Sequence, residues 1–235
     1  MLCKISDLMV EVPEAGGMAP RCREYLTDET LLADITVREE LYKPEKYPDW
    51  TYEQLAYMAS GAQFYRQLLK FDGMMLHASA VAVDGKAYLF SGPSGMGKST
   101  HTRIWQQLHG ENAKVFNDDK PALRCLDGVW YAYGTPWCGK DGININLKVP
   151  LAGICFLKRG DQNSIRRLNT QEASFEIIAQ TIRRFKNAEL LDEMLQTVER
   201  LVKDVPIYEL TNKPELDAAR LSYQTMRRGA KEANL

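Results

Sequence analysis

The sequence predicts an α/β domain in which one strand runs into a glycine-rich loop and then a helix, with a small β-rich arm ahead of it. Three observations predict this. The first is Gly92-Pro93-Ser94-Gly95-Met96-Gly97-Lys98-Ser99-Thr100, which has the spacing G-x-x-x-x-G-K-S of a phosphate-gripping P-loop. The second is its setting. The apolar run Ala87-Tyr88-Leu89-Phe90 precedes the loop, and Ile104, Trp105 and Leu108 come after it at helical spacing with Gly110 as a stop. The third is Asp84-Gly85, a two-residue hairpin turn between a strand-like run, Met74 to Val83, and the returning segment Lys86 to Ser91. The strand feeding the loop therefore has an antiparallel partner immediately before it, whereas doubly wound nucleotide-binding folds reach that strand through parallel crossovers. Antiparallel or mixed sheets with flanking helices are expected.

Composition narrows the class. A chain of 235 residues is one domain, or one domain with an arm; the division expected is an arm over 1–50 and a main domain over 51–235. Hydrophobic residues at 45% and charged residues at 26% are ordinary for a soluble globular protein. Thirty basic residues against 31 acidic ones give no basic excess to suggest a nucleic-acid partner. No apolar run approaches the ~20 residues of a membrane span, and Met1 to Asp7 lacks the apolar core of a signal peptide. The five cysteines are odd in number and none are spaced C-x-x-C, which argues against both a zinc site and a disulfide framework. Free thiols fit a reducing cytosol, so a cytoplasmic location is expected. Cys138 reads as a bystander thiol.

Along the chain, Ile5, Leu8, Val10 and Val12 suggest a strand, and Pro13 to Pro20 a loop. Leu31 to Leu41 is ambiguous, and Pro44 and Pro48 break the stretch beyond it. No chemistry is visible in this arm. A helix is expected from Thr51, where Gln54 completes a capping box. Leu55, Met58, Ala62, Tyr65, Leu68 and Leu69 form its apolar face, and Tyr57, Phe64 and Tyr65 read as packing residues in preference to a stacking platform. Lys114-Val115-Phe116 is a short strand ending at Asn117-Asp118-Asp119-Lys120, and Asp127-Gly128 turns a second hairpin between Ala122–Leu126 and Val129–Tyr133. Strands are expected at Pro150–Leu157, Ile165–Leu168 and Val205–Leu210. Asn169 with Glu172 caps a helix whose face includes Ile178, Thr181, Ile182 and Phe185. Leu191, Met194, Leu195, Val198, Leu201 and Val202 stripe another helix, and Leu216, Ala219, Tyr223 and Met226 mark a last one, with a polar tail from Arg227 to Leu235 expected to fray.

The chemistry concentrates in the loop and the acids after it. Glycines at 92, 95 and 97 admit backbone conformations that a β-carbon forbids, so the loop can turn its N–H groups inward round an anion. Lys98 can reach the β- and γ-phosphates, Ser99 can ligate Mg²⁺, and the helix beyond the loop adds its positive end. Facing residues in the first hairpin have a constant index sum, which sets His77 across from Gly92 at the mouth of the loop. Its imidazole is either a group that orients or accepts a proton near the phosphates, or a buried, hydrogen-bonded histidine; His101 and His109 read as surface or packing residues. The same arithmetic for the second hairpin puts Asp118 near Trp137 and Asp119 near Pro136, beside the loop Gly134 to Gly142. Of two adjacent carboxylates after a strand, one can hold Mg²⁺ and the other can take a proton from a hydroxyl, with a solvated turn as the alternative. The loop 134–142 is of a kind that carries substrate contacts; Lys140 is either a phosphate contact or a plain surface lysine. Arg166, Arg167, Arg183 and Arg184 read as solvated.

His77, the turn at Asp84-Gly85, the loop Gly92 to Ser99 and the pair Asp118-Asp119 together resemble the catalytic domain of bacterial HPr kinase/phosphorylase. The resemblance covers residues 74–225 and extends to Val205-Pro206-Ile207-Tyr208-Glu209-Leu210 ahead of the final helix. It implies the P-loop core shared with ATP-dependent phosphoenolpyruvate (PEP) carboxykinases, with ATP and Mg²⁺ as cofactors, held by residues 92–100, and often a homo-oligomer. It also implies that Asp118 and Asp119 are the family's paired aspartates, one of which serves as the base, and that His77 matches the family histidine. Which aspartate does which stays open; the expected assignment gives Ser99 and Asp118 to Mg²⁺ and the base role to Asp119, with His77 and Lys98 completing the catalytic set. Thr100 stands where those enzymes have a glutamate. Their glutamate-arginine-glycine signature is replaced by Gly134 to Lys140, and their separate N-terminal domain is missing or reduced. The resemblance therefore implies a kinase acting on a hydroxyl, either a serine of a protein or peptide or a small molecule, with HPr itself in doubt. A nucleotide-binding regulatory module without turnover and a carboxykinase-like enzyme on a metabolite are the alternatives, and ATP against GTP stays open.

Overall fold

Three tight turns set the registers of the sheets. In the computed structural model, which describes residues 1–182, 185 and 187–233, Ser6-Asp7, Asp84-Gly85 and Asp127-Gly128 all have positive φ at both positions, as two-residue hairpins require. The first joins β1 (Leu2–Ile5) to β2 (Leu8–Glu11), and β3 (Ile35–Thr36) adds parallel to β2. The single strand expected here is thus a hairpin; Ser-Asp lacks the glycine that signals such a turn. Part of the stretch expected as a loop is a short helix, α1 (Met18–Cys22).

α2 (Tyr52–Leu68) begins where its capping box predicts. Thr51 Oγ1 accepts from the Gln54 N–H at 3.2 Å, and Gln54 Oε1 accepts from the Thr51 N–H at 2.9 Å. Leu55, Phe64, Tyr65 and Leu68 are buried, while Met58 is exposed. The three-stranded sheet packs directly on this helix, its Ile5, Val10 and Ile35 sharing one apolar cluster with Leu55, Phe64 and Trp137.

The main sheet has nine strands: β4 (Gly73–Met75), β5 (Ala78–Val83), β6 (Lys86–Ser91), β7 (Ala113–Asp119), β8 (Ala122–Leu126), β9 (Val129–Tyr133), β10 (Lys148–Arg159), β11 (Ser164–Arg167) and β12 (Ile207–Asn212). Its order is β4-β8-β9-β10-β6-β5-β7, with β12 on β10 and β11 on β12. β6 and β12 pair with β10 in parallel; β5 pairs antiparallel with both β6 and β7. The expected α/β class with mixed sheets is observed. β10 belongs to two pairings in succession, lying against β9 over Lys148–Pro150 and against β6 from Leu151 onward. The run Met74 to Val83 is two strands. It breaks at Leu76-His77, and β4 leaves to pair with β8. An apolar run reads the same whether one neighbour or two receive it.

One face of the β5–β6–β10–β12 region is covered by α3 (Lys98–His109) and α6 (Leu216–Glu232), through Tyr88, Phe90, Trp105, Tyr208 and Met226. The other is covered by α4 (Thr170–Ala179) and α5 (Ala188–Asp204), through Leu89, Phe156, Ile177 and Val198. α4 is capped by Asn169 and Glu172 as expected, but it ends at Ala179. The next turn is bent inward by Thr181, whose hydroxyl donates to the Met75 carbonyl at 2.6 Å, so Thr181 and Ile182 are not on the helix face. α6 continues through the segment expected to fray: Gly229 and Ala230 are buried, and a β-carbon at 229 would overlap the Tyr208 hydroxyl. Arg183, Arg184 and the last two residues lie outside the described residues. Among the described residues the five cysteines are free thiols, and no helix is long and apolar enough to cross a membrane.

Candidate active site

β6 delivers the chain into the glycine loop, and α3 leaves it at Lys98. Gly95 and Gly97 have φ of 77° and 99°, with open space where a side chain would stand; the curvature that lines N–H groups toward one point depends on these values. Lys98 is 9% exposed. Its ammonium donates back to the carbonyls of Gly92 at 3.0 Å and Pro93 at 3.2 Å. Burial lowers its pKa from the ordinary lysine value against the opposing charges of Asp119 and Asp118. Arg159, at the end of β10, donates to the Gly95 carbonyl at 2.6 Å.

The acids arrive on β7. That strand runs on through Asp119, further than the short strand expected, and pairs Asp118 with Ser79 and Asp119 with Ala78. This register has two consequences. Asp118 lies beside the loop helix, where the Ser99 hydroxyl donates to its Oδ1 at 2.9 Å. His77, one residue ahead of Ala78, comes alongside Asp119, with Nε2 3.4 Å from Oδ1. The hairpin ladder of β5 and β6 has the expected register but ends at Ala78–Ser91. His77 lies one step past it, its carbonyl accepting from the Ser91 hydroxyl at 2.9 Å. On the other side of the ring, Nδ1 lies 3.1 Å from Gln180 Oε1. Burial and the Lys98 charge hold this imidazole below its ordinary pKa, outweighing Gln180 and Asp119, so it is neutral at pH 7.

Asp119 is held by residues that the sequence alone does not assign. Its Oδ2 accepts from the Tyr57 hydroxyl at 2.6 Å and from the Lys120 ammonium, and Lys120 also donates to Tyr57 Oη at 2.6 Å. Burial pushes the Asp119 carboxyl up, but Lys120, Tyr57 and His77 together leave it below the ordinary carboxylate value. With Oδ2 engaged by two donors, Oδ1 is the oxygen available to accept a proton. A lysine abutting two acids was a signal the sequence carried for Lys120. Tyr57 carried none, being indistinguishable from the packing aromatics of α2. Nor is the arm silent. Arg21 of α1 lies 4.9 Å over the Tyr57 ring and donates to the Cys138 carbonyl at 3.3 Å, so the first fifty residues reach the cluster.

The loop 134–142 flanks the acids two residues out of the expected register. Asp119 faces Cys138, and the Gly139 N–H donates to the Asp118 carbonyl at 2.6 Å. The hairpin sum fails because Lys120-Pro121 leaves the ladder before β8 begins at Ala122. Residues 134–138 are buried rather than presented outward: Trp137 stacks on Phe64, Thr135 bonds to Tyr65, and only from Lys140 is the loop exposed. His101 is buried against Ser222 at 3.1 Å, and His109 packs on Tyr223, both in packing roles. Arg166 is engaged by Glu172 and Glu209.

Among solved structures, the HPr(Ser) kinase/phosphatase from Coxiella burnetii is similar over 55% of this chain and 97% of its own, at 15% identity and a TM-score of 0.31, a likeness too slight to fix a shared fold. No curated protein matches the sequence. The family described as "SynChlorMet cassette protein ScmC" matches residues 43–214, a span running from ahead of α2 to just past β12, and the chain belongs to that family.

Proposed function

We propose that the protein is an ATP- and Mg²⁺-dependent phosphotransferase of HPr-kinase-like type that moves a γ-phosphoryl group to a hydroxyl acceptor. The observation that carries this reading is the Ser99–Asp118 hydrogen bond of 2.9 Å, joining the phosphate loop to an acid pair whose second member has Oδ2 fixed by two donors and Oδ1 facing His77 Nε2 at 3.4 Å. The residues fit the cation: Ser99 and Asp118 are hard oxygen donors, few in number, and Mg²⁺ takes its remaining ligands from phosphates and water. When bound, Mg²⁺ supplies charge neutralisation at the β- and γ-phosphates.

The chain's own groups do the rest. N–H groups of residues 95–99 bind the phosphates, and Lys98 exchanges its carbonyl partners for phosphate oxygens. Asp119 Oδ1 takes the acceptor proton, with His77 beside it and Lys120 and Tyr57 fixing the carboxylate plane. The acceptor is a serine hydroxyl of a peptide or protein, or a small-molecule alcohol. The test is label transfer from γ-labelled ATP with Mg²⁺, using the full chain with and without a lysate of its host. A labelled product lost in both Lys98→Ala and Asp119→Asn, with Asp119→Asn still binding ATP, is the expected result. Transfer surviving in Asp119→Asn refutes the base assignment. Tight ATP binding with no label anywhere refutes the kinase in favour of a regulatory nucleotide-binding module.

A further inference from the structure

The arm ahead of α2 brings one basic side chain to the acid pair, and the chemistry proposed for that pair leaves it unused. Arg21 belongs to α1, which is clamped to the loop beside the acids. The Arg21 carbonyl accepts from Asn144 Nδ2 at 2.7 Å, and the Tyr25 hydroxyl donates to the Asn144 carbonyl at 2.7 Å. The chain entering α1 also runs close against α2, where a β-carbon at Gly16 would overlap that of Ala56. These contacts fix the base of a long side chain whose end lies between two neighbours of Asp119. One is Tyr57: the guanidinium carbon stands 4.9 Å over its ring, and its hydroxyl donates to Asp119 Oδ2. The other is Cys138, which faces Asp119 across the ladder. Arg21 Nη1 donates to its carbonyl at 3.3 Å and its Sγ at 3.2 Å.

Arg21 is half-buried, and among the described residues no carboxylate pairs with it and its Nε and Nη2 donors have no partner. The planar fork of a guanidinium in such a place is suited to an oxyanion. Its position says which reactant supplies one. Successive residues of a strand point to opposite faces. Asp118 turns to Ser99 and the phosphate loop, whereas Asp119 turns to Tyr57, the side on which Arg21 lies. Lys120, the other cation against the Tyr57 ring, is already spent on Asp119 and the Tyr57 hydroxyl. The nucleotide is gripped from the Ser99 side, so an anion at Arg21 belongs to the other reactant. We propose that Arg21 reads the phosphoryl acceptor: the hydroxyl that gives its proton to Asp119 is carried by a molecule with a carboxylate about a tyrosine ring's length away, and the Nε–Nη2 edge of Arg21 takes that carboxylate in paired hydrogen bonds. The proposal rests on the kinase reading above and names the acceptor's class, a serine in an acidic peptide segment or a small hydroxy acid. It also gives the arm a task, since the selectivity of the site then comes from outside the region that holds the phosphate loop.

Label transfer from γ-labelled ATP with Mg²⁺, using the full chain and paired acceptors, tests this. Serine-centred peptides of mixed sequence are offered with Asp and Glu flanking the serine or with Asn and Gln there, and glycerate is offered beside glycerol. The first pair reports a peptide acceptor and the second a small one. In one pair the carboxylate member is expected to be labelled at least about tenfold better. In Arg21→Met that gap closes to within about threefold, through a higher KM for the acceptor at little change in kcat. Arg21→Lys, which keeps the charge without the fork, retains part of it. The KM for ATP stays at its wild-type value in both variants, which a merely structural role beside Asp119 would not allow. Equal labelling within each pair, or a gap that survives in Arg21→Met, would overturn the assignment. Where only the host lysate is labelled, the acceptor recovered from it replaces the pairs, and one without a carboxylate would overturn the assignment equally. Absence of label from every arm would instead refute the kinase reading on which the inference stands.

Discussion

Trp137 couples the loop beside the acids to the helix that supplies Tyr57, and its removal has a calculable cost. The side chain is fully buried. It stacks on Phe64 at 4.7 Å between ring centroids, meets Tyr65 edge-on at 5.5 Å, and donates from Nε1 to Ser60 Oγ at 2.9 Å. Trp137→Ala removes the ring and leaves a cavity, for about 3–5 kcal/mol. Trp137→Phe keeps a stacked ring and loses the hydrogen bond, for about 1 kcal/mol plus the lost volume. For a chain of this size those figures correspond to a Tm lowered by roughly 6–20 °C and roughly 2–4 °C respectively. Differential scanning calorimetry measures both, and a double-mutant cycle of Trp137→Phe with Ser60→Ala isolates the bond. Gly61→Ala supplies an independent check, because a β-carbon there would stand 2.9 Å from Trp137 Cδ1. It should reproduce part of the loss by pushing the same ring aside. Should Trp137→Ala fall within about 1 kcal/mol of Trp137→Phe, the ring is not the anchor described and α2 is held by other contacts.

Two further predictions concern backbone and charge. At Gly139 a β-carbon would lie 2.5 Å from the Asp118 carbonyl. Gly139→Ala is therefore expected to cost about 1–3 kcal/mol in urea unfolding, and an unchanged midpoint would show that the loop gives way freely. Asp7 sits at φ 60° in the first turn and is bonded by Lys148 at 2.7 Å and Tyr133 at 2.8 Å. Burial pushes its carboxyl up, but these bonds and the charges of Lys148 and Arg124 more than offset that and hold it below the ordinary value. The stabilisation is then present above the unfolded pKa of about 3.9 and lost as pH falls through the lower folded value. Asn tolerates the same turn geometry, so the stability gap between wild type and Asp7→Asn should be steady from about pH 7 to 5 and shrink below about pH 4. A gap that persists undiminished to pH 3 would assign it to something other than charge.

The features legible in the sequence were local. Thr51 with Gln54, and Asn169 with Glu172, mark helix starts because both partners of a capping box lie within one turn. Asp84-Gly85 and Asp127-Gly128 fix hairpin registers because turn chemistry and ladder are contiguous. The β5–β6 register carried His77 to within one step of its observed position. Tyr57 and Arg21 were not legible. Each reaches the cluster through helix packing across a long sequence separation, and nothing in a tyrosine's neighbours says which way its hydroxyl points. The break in Met74 to Val83 and the end of α4 at Ala179 failed for the same reason. Both are decided by a tertiary partner, β8 in one case and the Met75 carbonyl in the other.

β10 has a consequence for how the molecule comes apart. One strand of twelve residues meets β9 at its start and both β6 and β12 further on. The β6 and β12 pairings close loops of roughly sixty-five and fifty residues in opposite directions along the chain, which makes them slow to form and mutually dependent. At one end of the strand Lys148 is tied to the first hairpin through Asp7, and at the other Arg159 touches the phosphate loop. Loss of β10 would therefore strip both regions at once, and the chain should melt as a single cooperative unit with no surviving half.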